Sequence, residues 1–280
     1  MKISWSGKSK TRGFRLPGFG ISMGITWLYI SIILLLPSAG LFLKASEVSF
    51  DEFWKAVFSL RALKSYQISF SLSLLSALVN TIMGFIVAWV LVRYRVPFSG
   101  LFDALIDLPF ALPTAVAGVS LTWLYGPNGW IGRHLESIGI KVVHTPLGII
   151  IALIFVSFPF AVRTVIPVLK EMDLEVEECA RCLGARRWQI FLKIIFPTVF
   201  PALLTGFTLS FARALGEYGS VIFISGNQPF KTEIAPLLVA IKLEEYEYTA
   251  CASIAVFLMT VSLLILIFLN ILESFSKGER

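Results

Sequence analysis

The sequence predicts an all-α integral membrane protein with about six transmembrane helices. Hydrophobic residues make up 56% of the 280 residues, charged residues only 15%, and the mean hydropathy is +0.81. A soluble domain usually contains about 25% charged residues, so lipid is the expected solvent. The net charge of +6 is typical of basic cytoplasmic loops in membrane proteins and does not indicate nucleic-acid binding.

Uncharged runs define the candidate spans, because a helix needs about 20 apolar residues to cross the hydrocarbon core. They are 16–43, 65–92, 108–132, 145–162, 194–212 and 248–272. With the N-terminus inside, the inner segments contain 15 Lys and Arg residues and the outer segments contain 9. This bias predicts that both termini lie in the cytoplasm. An amphipathic surface helix is expected over 48–64.

The richest basic loop, 163–193, contains a helical turn between the fourth and fifth runs. Val176, Cys179, Ala180 and Leu183 fall on one helical stripe. Gly184 permits a sharp turn after this helix. A second short helix then leads back toward the membrane, where Pro197 is expected to restart the span. Such a knob is expected to dock into another protein, although a solvated helix-turn is the simpler alternative.

The spacing of this loop resembles a known motif. Glu178-Cys179-Ala180, three residues, Gly184, nine residues, then Ile194-x-Phe196-Pro197 resembles the EAA loop of bacterial ABC import permeases. Cys179 replaces an Ala and Phe196 replaces a Leu, and Cys is small and apolar enough to keep the contact.

The resemblance implies a type I ABC importer fold in which this loop couples the membrane helices to a separate ATPase subunit. The residues implied in coupling are Glu178, Cys179, Ala180, Gly184 and Ala185, with Arg181, Arg186 and Arg187 as contacts at the rim.

Nucleotide binding is expected on a partner, and no cofactor or enzymatic activity is expected in this chain. Gly7-Lys8-Ser9 resembles the end of a phosphate-binding loop, but Lys2 occupies the position where the pattern needs Gly.

Two stretches are candidates for the substrate path. Pro109 and Pro113 in the third run remove helix hydrogen bonds and predict a broken helix. With Thr114, this stretch either lines the path or is a structural kink. Arg213 and Glu217 lie four residues apart at the end of the fifth run. They form either a structural ion pair or a contact for an oxyanion.

These stretches, with Tyr125-Gly-Pro-Asn-Gly-Trp130 and residues 225–236, resemble the sulfate/molybdate branch of the family, in particular the T-type subunits of sulfate/thiosulfate transporters. The resemblance implies a permease domain over 16–272, with its core at 66–270, between cytoplasmic tails at 1–15 and 273–280. It implies these partners: a sister permease of the W type, two ABC ATPase subunits and a periplasmic sulfate-binding protein. The expected location is a bacterial inner membrane, with a plastid inner envelope as the alternative.

The sequence is also compatible with other classes of function. A molybdate or tungstate permease shares much of the pattern, and an ATP-independent anion carrier or channel is a further alternative. Carriers usually place acidic or His relays in their spans, and the six runs contain no such residue. Cys179-x-x-Cys182 lacks a second pair, and His134 and His144 lack a third ligand, so no metal site is expected.

Overall fold

The computed structural model describes residues 19–278, with side chains described through residue 274. This part of the chain is helical and contains no β-strand. It falls into two compact units, one ending at Glu47 and the other beginning at Val48. The sequence predictions for the tail 1–15, for Gly7-Lys8-Ser9 and for the last two residues of the C-terminal tail lie outside the described residues.

The first unit is a single apolar helix, α1, over Phe19–Ser46. A π-helical turn at Ser31–Leu35 interrupts it. Its apolar side chains, such as Ile21, Leu28 and Leu34, are exposed.

The second unit contains the remaining helices. They are α2 Phe50–Val57, α3 Leu60–Arg93, α4 Ser99–Ala111, α5 Thr114–Tyr125, α6 Gly132–Ser137, α7 Pro146–Glu171, α8 Leu174–Cys182, α9 Arg187–Leu215, α10 Val221–Ile224, α11 Ala235–Glu244 and α12 Tyr248–Gly278.

Helices α3, α7 and α9 pack against one another and form the core of this unit. Small and polar side chains of α3 recur every three or four residues on its buried face, including Ser69, Ser73, Ser76 and Asn80. Small residues let helices approach closely in lipid, where no hydrophobic force drives association. Asn80 Nδ2 donates to the carbonyl of Ile154 at 3.1 Å and thereby ties α3 to α7.

Five of the described helices are long and apolar enough to cross a membrane, namely α1, α3, α7, α9 and α12. The third predicted run is instead a bent pair, because α4 and α5 meet at an angle of 110°. The break lies at Leu112–Pro113, where Leu112 has an extended backbone (φ −85°, ψ 131°), as expected for a residue before proline. Pro109, predicted to break the helix as well, lies inside α4. Residues 126–131, predicted as part of the end of this span, are turns that lead into α6, which begins at Gly132.

The helices also extend beyond the uncharged runs. Helix α7 continues to Glu171, so the loop predicted from 163 begins later. Helix α9 runs continuously from Arg187 through Pro197, with a π-helical turn at Phe191–Ile195. The predicted restart of the span at Pro197 is therefore wrong. Helix α2 is amphipathic as expected, but it packs against α12, with Val57 fully buried.

Candidate functional site

The predicted helical knob is present, and we call residues 174–190 the elbow. Helix α8 ends in a Schellman motif, in which Ala185 N–H donates to the Ala180 carbonyl at 3.0 Å and Gly184 N–H donates to the Arg181 carbonyl at 2.9 Å. Gly184 has a φ of +84°, a left-handed conformation that favours glycine. The chain thereby reverses direction within a few residues and enters α9 at Arg187.

The outer surface of the elbow exposes apolar side chains. Leu183 is 88% exposed, Trp188 67% and Val176 51%. Cys179, a fourth member of this surface, is also exposed. Of the predicted stripe, only Ala180 packs inward, together with Ala185, against the core cluster of α3, α7 and α9. Exposed apolar groups on a polar knob are typical of a protein-binding surface.

The inner surface of the elbow carries a buried ion pair that the sequence analysis did not identify. Glu177, 7% exposed, accepts a hydrogen bond from Arg93 Nη2 at 2.6 Å. The guanidinium of Arg93 lies 5.3 Å from the ring centroid of Trp89, within the range of a cation–π contact. The sequence signals the inward position of Glu177, because it lies three residues before Ala180 and so shares its face, but it does not identify Arg93 as the partner.

The charged residues implied in coupling lie on the elbow surface. Glu178, Arg181, Arg186 and Arg187 are exposed. Arg181 Nη2 lies 3.9 Å from Glu177 Oε2. A groove of about 230 Å³ beside them is lined in part by Arg181, Arg187 and Trp89.

The second candidate region forms where the bent pair α4–α5 meets residues 216–225. Gly219 lies directly against the side chain of Thr114, and Gly118 lies against the backbone of Ser220. A Cβ atom at either glycine would collide with these atoms. The structure therefore brings together Thr114 and the segment that follows Arg213, two stretches that the sequence analysis considered separately.

Arg213 and Glu217 form the predicted ion pair, with Arg213 Nη1 2.6 Å from Glu217 Oε2. Glu217 also accepts hydrogen bonds from the backbone N–H of Ser220 at 2.8 Å and from its hydroxyl at 2.9 Å. The side chain of Glu217 is 2% exposed, whereas that of Arg213 is 31% exposed. Glu217 therefore links the end of α9 to Ser220, and Arg213 is the more exposed member of the pair.

The two prolines of the bent pair have different surroundings. Pro109 lines an apolar groove of about 360 Å³ with Tyr125, Phe155 and Phe158. Pro113 is exposed at the bend. Among the described residues, no group of three His, Cys, Asp or Glu side chains could hold a metal ion, and Cys179, Cys182 and Cys251 are free thiols.

Comparison with known proteins identifies the family of this chain. The family model described as "Binding-protein-dependent transport system inner membrane component" matches residues 80–277. The chain belongs to this family. It is a multi-pass membrane permease, the pore-forming and non-enzymatic component of an ABC importer, as the motif at 178–197 predicted.

Curated relatives of the permease are similar over nearly their full length. The "Sulfate transport system permease protein CysT" of Escherichia coli (strain K12) is 44% identical over 259 residues, covering 92% of this chain and 94% of that protein. The protein of the same name from Synechocystis sp. (strain ATCC 27184 / PCC 6803 / Kazusa) is 44% identical over 263 residues, covering 92% of each.

Solved structures confirm the predicted fold of the permease. A chain of a bacterial ABC transporter involved in the import of the acidic polysaccharide alginate superposes with a TM-score of 0.76 at 18% identity, covering 92% of this chain and 96% of that chain. A chain of the alginate transporter in complex with an alginate pentasaccharide-bound periplasmic protein gives 0.72 at 20% identity, covering 90% and 92%. These likenesses concern the fold alone.

Proposed function

We propose that this permease imports sulfate and thiosulfate as one half of a heteromeric transmembrane core. A sister permease of the W type forms the other half. Two ABC ATPase subunits bind the elbows and hydrolyse ATP, and a periplasmic sulfate-binding protein delivers the anion. The chain itself binds no nucleotide or other cofactor.

One observation carries the ATP-driven mechanism, namely an elbow whose apolar side chains face outward while its inner face is fixed to the membrane helices. Most of the surface of Leu183 and of Trp188 is exposed, and burying apolar surface is favourable by about 25 cal/mol per Å². Ala180 and Ala185 pack inward against the core cluster. A partner that binds the outer face therefore exerts its force directly on α3, α7 and α9. The implied coupling residues are Glu178 to Arg181 and Gly184 to Arg187.

The substrate assignment rests on the names of the curated relatives and on the charge distribution. Arginines at the ends of the spans, such as Arg93 and Arg213, are paired with carboxylates. A path without a strong fixed anion site suits a solute that must leave quickly. Tight recognition of a dianion is then the task of the binding protein, whose fixed N–H groups can replace its hydration. Thr114 and the exposed part of Arg213 are proposed to line the path, together with Pro113 and Pro109.

The orientation follows from the same proposal. The elbow and both termini lie in the cytoplasm, where ATP is available, and the membrane is a bacterial inner membrane. The turn at Gly139, which precedes α7, lies on the outer side. Gly139 has a φ of +82° and open space around its Cβ position, as Gly184 does.

This similarity provides a matched test of coupling. Gly184→Val and Gly139→Val each force a β-branched residue into a left-handed conformation, at a cost of about 1–2 kcal/mol or more. We expect Gly184→Val to insert normally but to lose both the bound ATPase and uptake of labelled sulfate. Gly139→Val should keep the ATPase. Full uptake in Gly184→Val, or equal loss of ATPase in both variants, would overturn the proposal.

A second experiment tests the substrate. Uptake of labelled sulfate by the assembled transporter should be inhibited by excess thiosulfate and much less by molybdate. Stronger inhibition by molybdate would assign the permease to molybdate or tungstate instead. Uptake that persists without ATP would assign it to the carriers or channels.

A further inference from the structure

Helix α3 is held at both ends by arginine–carboxylate pairs to segments that are distant in the sequence. It has 34 residues and is therefore about 50 Å long, at a rise of 1.5 Å per residue. Arg61 lies in its first turn and Arg93 in its last. Their partners, Glu233 and Glu177, are 172 and 84 residues away in the chain.

At the elbow end, Arg93 binds the inner face of α8. Among the described side chains of α8, only Glu177 is buried, and its partner Arg93 is 11% exposed. One turn earlier in α3, Trp89 contacts the ring of Phe191 at 6.4 Å between centroids. Helix α3 thus contacts the chain on both sides of the turn at Gly184, at Glu177 in the elbow and at Phe191 directly after it.

At the opposite end, Arg61 donates two hydrogen bonds to the carboxylate of Glu233, from Nε at 2.8 Å and from Nη2 at 2.6 Å. Glu233 is 1% exposed. Two turns further along α3, Ser69 Oγ accepts a hydrogen bond from Ala235 N–H at 2.7 Å. A bidentate fork fixes orientation as well as distance, so residues 233–235 must move with α3.

Residues 233–237 pack in turn against the second candidate region. Ile234 and Leu237 belong to one buried cluster with Val221 and Ile224 of α10 and Leu121 of α5. A displacement of α3 along its axis would therefore reach the place where the bent pair meets residues 216–225.

The chain also connects the elbow directly to α7 and α9, but both of these helices contain prolines. Pro159 and Pro167 lie inside α7, and α9 contains Pro201 and the π-helical turn at Phe191–Ile195. Prolines and π-bulges remove backbone hydrogen bonds and are the usual sites of helix bending. Helix α3 contains neither a proline nor a π-helical turn over Leu60–Arg93, so it lacks both of these causes of bending.

We propose that α3 is the rod that carries elbow displacement to the substrate path, and that Arg93, Glu177, Arg61 and Glu233 are positioning residues for transport. The pairs make α3 move with the elbow at one end and move residues 233–237 at the other. This inference rests on the proposed function, because it assumes an ATPase that moves the elbow.

The test measures how many substrate ions are imported per ATP hydrolysed by the complete transporter. Arg93→Gln, Glu177→Gln, Arg61→Gln and Glu233→Gln are compared with two control variants. Arg95→Gln changes an exposed charge two residues after Arg93, and Glu171→Gln changes an exposed charge at the end of α7, outside the elbow. We expect the four pair variants to retain the ATPase and to hydrolyse ATP. Import per ATP should fall by about tenfold, within the usual range of coupling energies. The two controls should match the parent.

Rescue separates positioning from a general loss of stability. The exchanged pair Arg93→Glu with Glu177→Arg keeps both charges together and should recover part of the import per ATP. Arg61→Lys keeps the charge but loses the fork and should give an intermediate ratio. Two results would contradict the proposed role of α3. One is an import per ATP equal to that of the parent in all pair variants, and the other is ATP hydrolysis and import that fall by the same factor. If the parent complex itself imports without ATP, the proposed function has failed instead.

Discussion

Arg213 Nη1 lies 2.6 Å from Glu217 Oε2, one helical turn later, and the same carboxylate accepts two hydrogen bonds from Ser220. The pair thus joins the end of α9 to the start of α10. Glu217 is buried, so we expect it to matter for stability. Arg213 is only partly buried, so we expect it to remain accessible.

Replacing Glu217 by Gln should destabilise the permease. The variant leaves Arg213 without a counter-ion, and we expect a loss of about 1–3 kcal/mol, reduced from the value for a fully buried pair because Arg213 is accessible to solvent. Thermal unfolding in detergent measures this loss. Glu136→Gln, at an exposed residue, is the control. Unchanged stability together with a changed half-saturating sulfate concentration would contradict the structural role.

The close approach of α5 to residues 216–225 predicts opposite effects for two Gly→Ala changes. At Gly118 a Cβ atom collides with the backbone of Ser220, whereas at Gly100 it meets nothing within 4 Å. We expect Gly118→Ala to lower stability by about 1–3 kcal/mol. Gly100→Ala, near the start of α4, should be neutral or stabilising by up to about 1 kcal/mol. Equal unfolding temperatures for the two variants would show that the contact is not tight.

The exposed apolar surface of the elbow predicts a hot spot for the ATPase. Leu183→Asp should reduce recovery of the ATPase with the tagged permease by about tenfold or more, which corresponds to at least about 1.4 kcal/mol. Ile138→Asp changes a side chain that is 68% exposed before α7 and should leave recovery unchanged. Undiminished recovery in Leu183→Asp would remove Leu183 from the interface.

The hydrogen bonds from Asn80 to α7 are expected to make a modest contribution to the stability of the permease. Asn80 donates to Ile154 O and to Ser157 Oγ at 2.8 Å, whereas the hydroxyl of neighbouring Thr81 bonds only within its own helix, to Ala77 O. Interhelical hydrogen bonds in membranes contribute roughly 0.6–2 kcal/mol. Asn80→Ala should therefore lower the unfolding temperature more than Thr81→Val does. The opposite order would show that the contact between α3 and α7 depends on packing alone.

Hydropathy predicted most of the spans, because a crossing helix must be apolar for about 20 residues whatever its neighbours are. The uncharged runs ended before the helices do, because charged residues such as Arg93 and Glu171 can extend a helix into the interface. The third run failed for a local reason. Pro113 broke the helix because it forces Leu112 into an extended conformation, whereas Pro109 was accommodated within α4.

The candidate site was predictable where the signal is local. The turn at Gly184 followed from glycine's conformational freedom, and the pairing of Arg213 with Glu217 followed from their spacing. The pairs of α3 could not be predicted in this way, because Glu177 and Glu233 meet arginines 84 and 172 residues away. A single sequence contains no information on which remote charge satisfies a buried carboxylate.

The most direct test of the account is reconstitution of the permease in proteoliposomes with its sister permease and binding protein. The ATPase subunits and ATP are then either included or omitted on the elbow side. The account predicts that labelled sulfate accumulates only when both are present and that Gly184→Val abolishes the accumulation. Sulfate accumulation at the same rate without the ATPase subunits would contradict it.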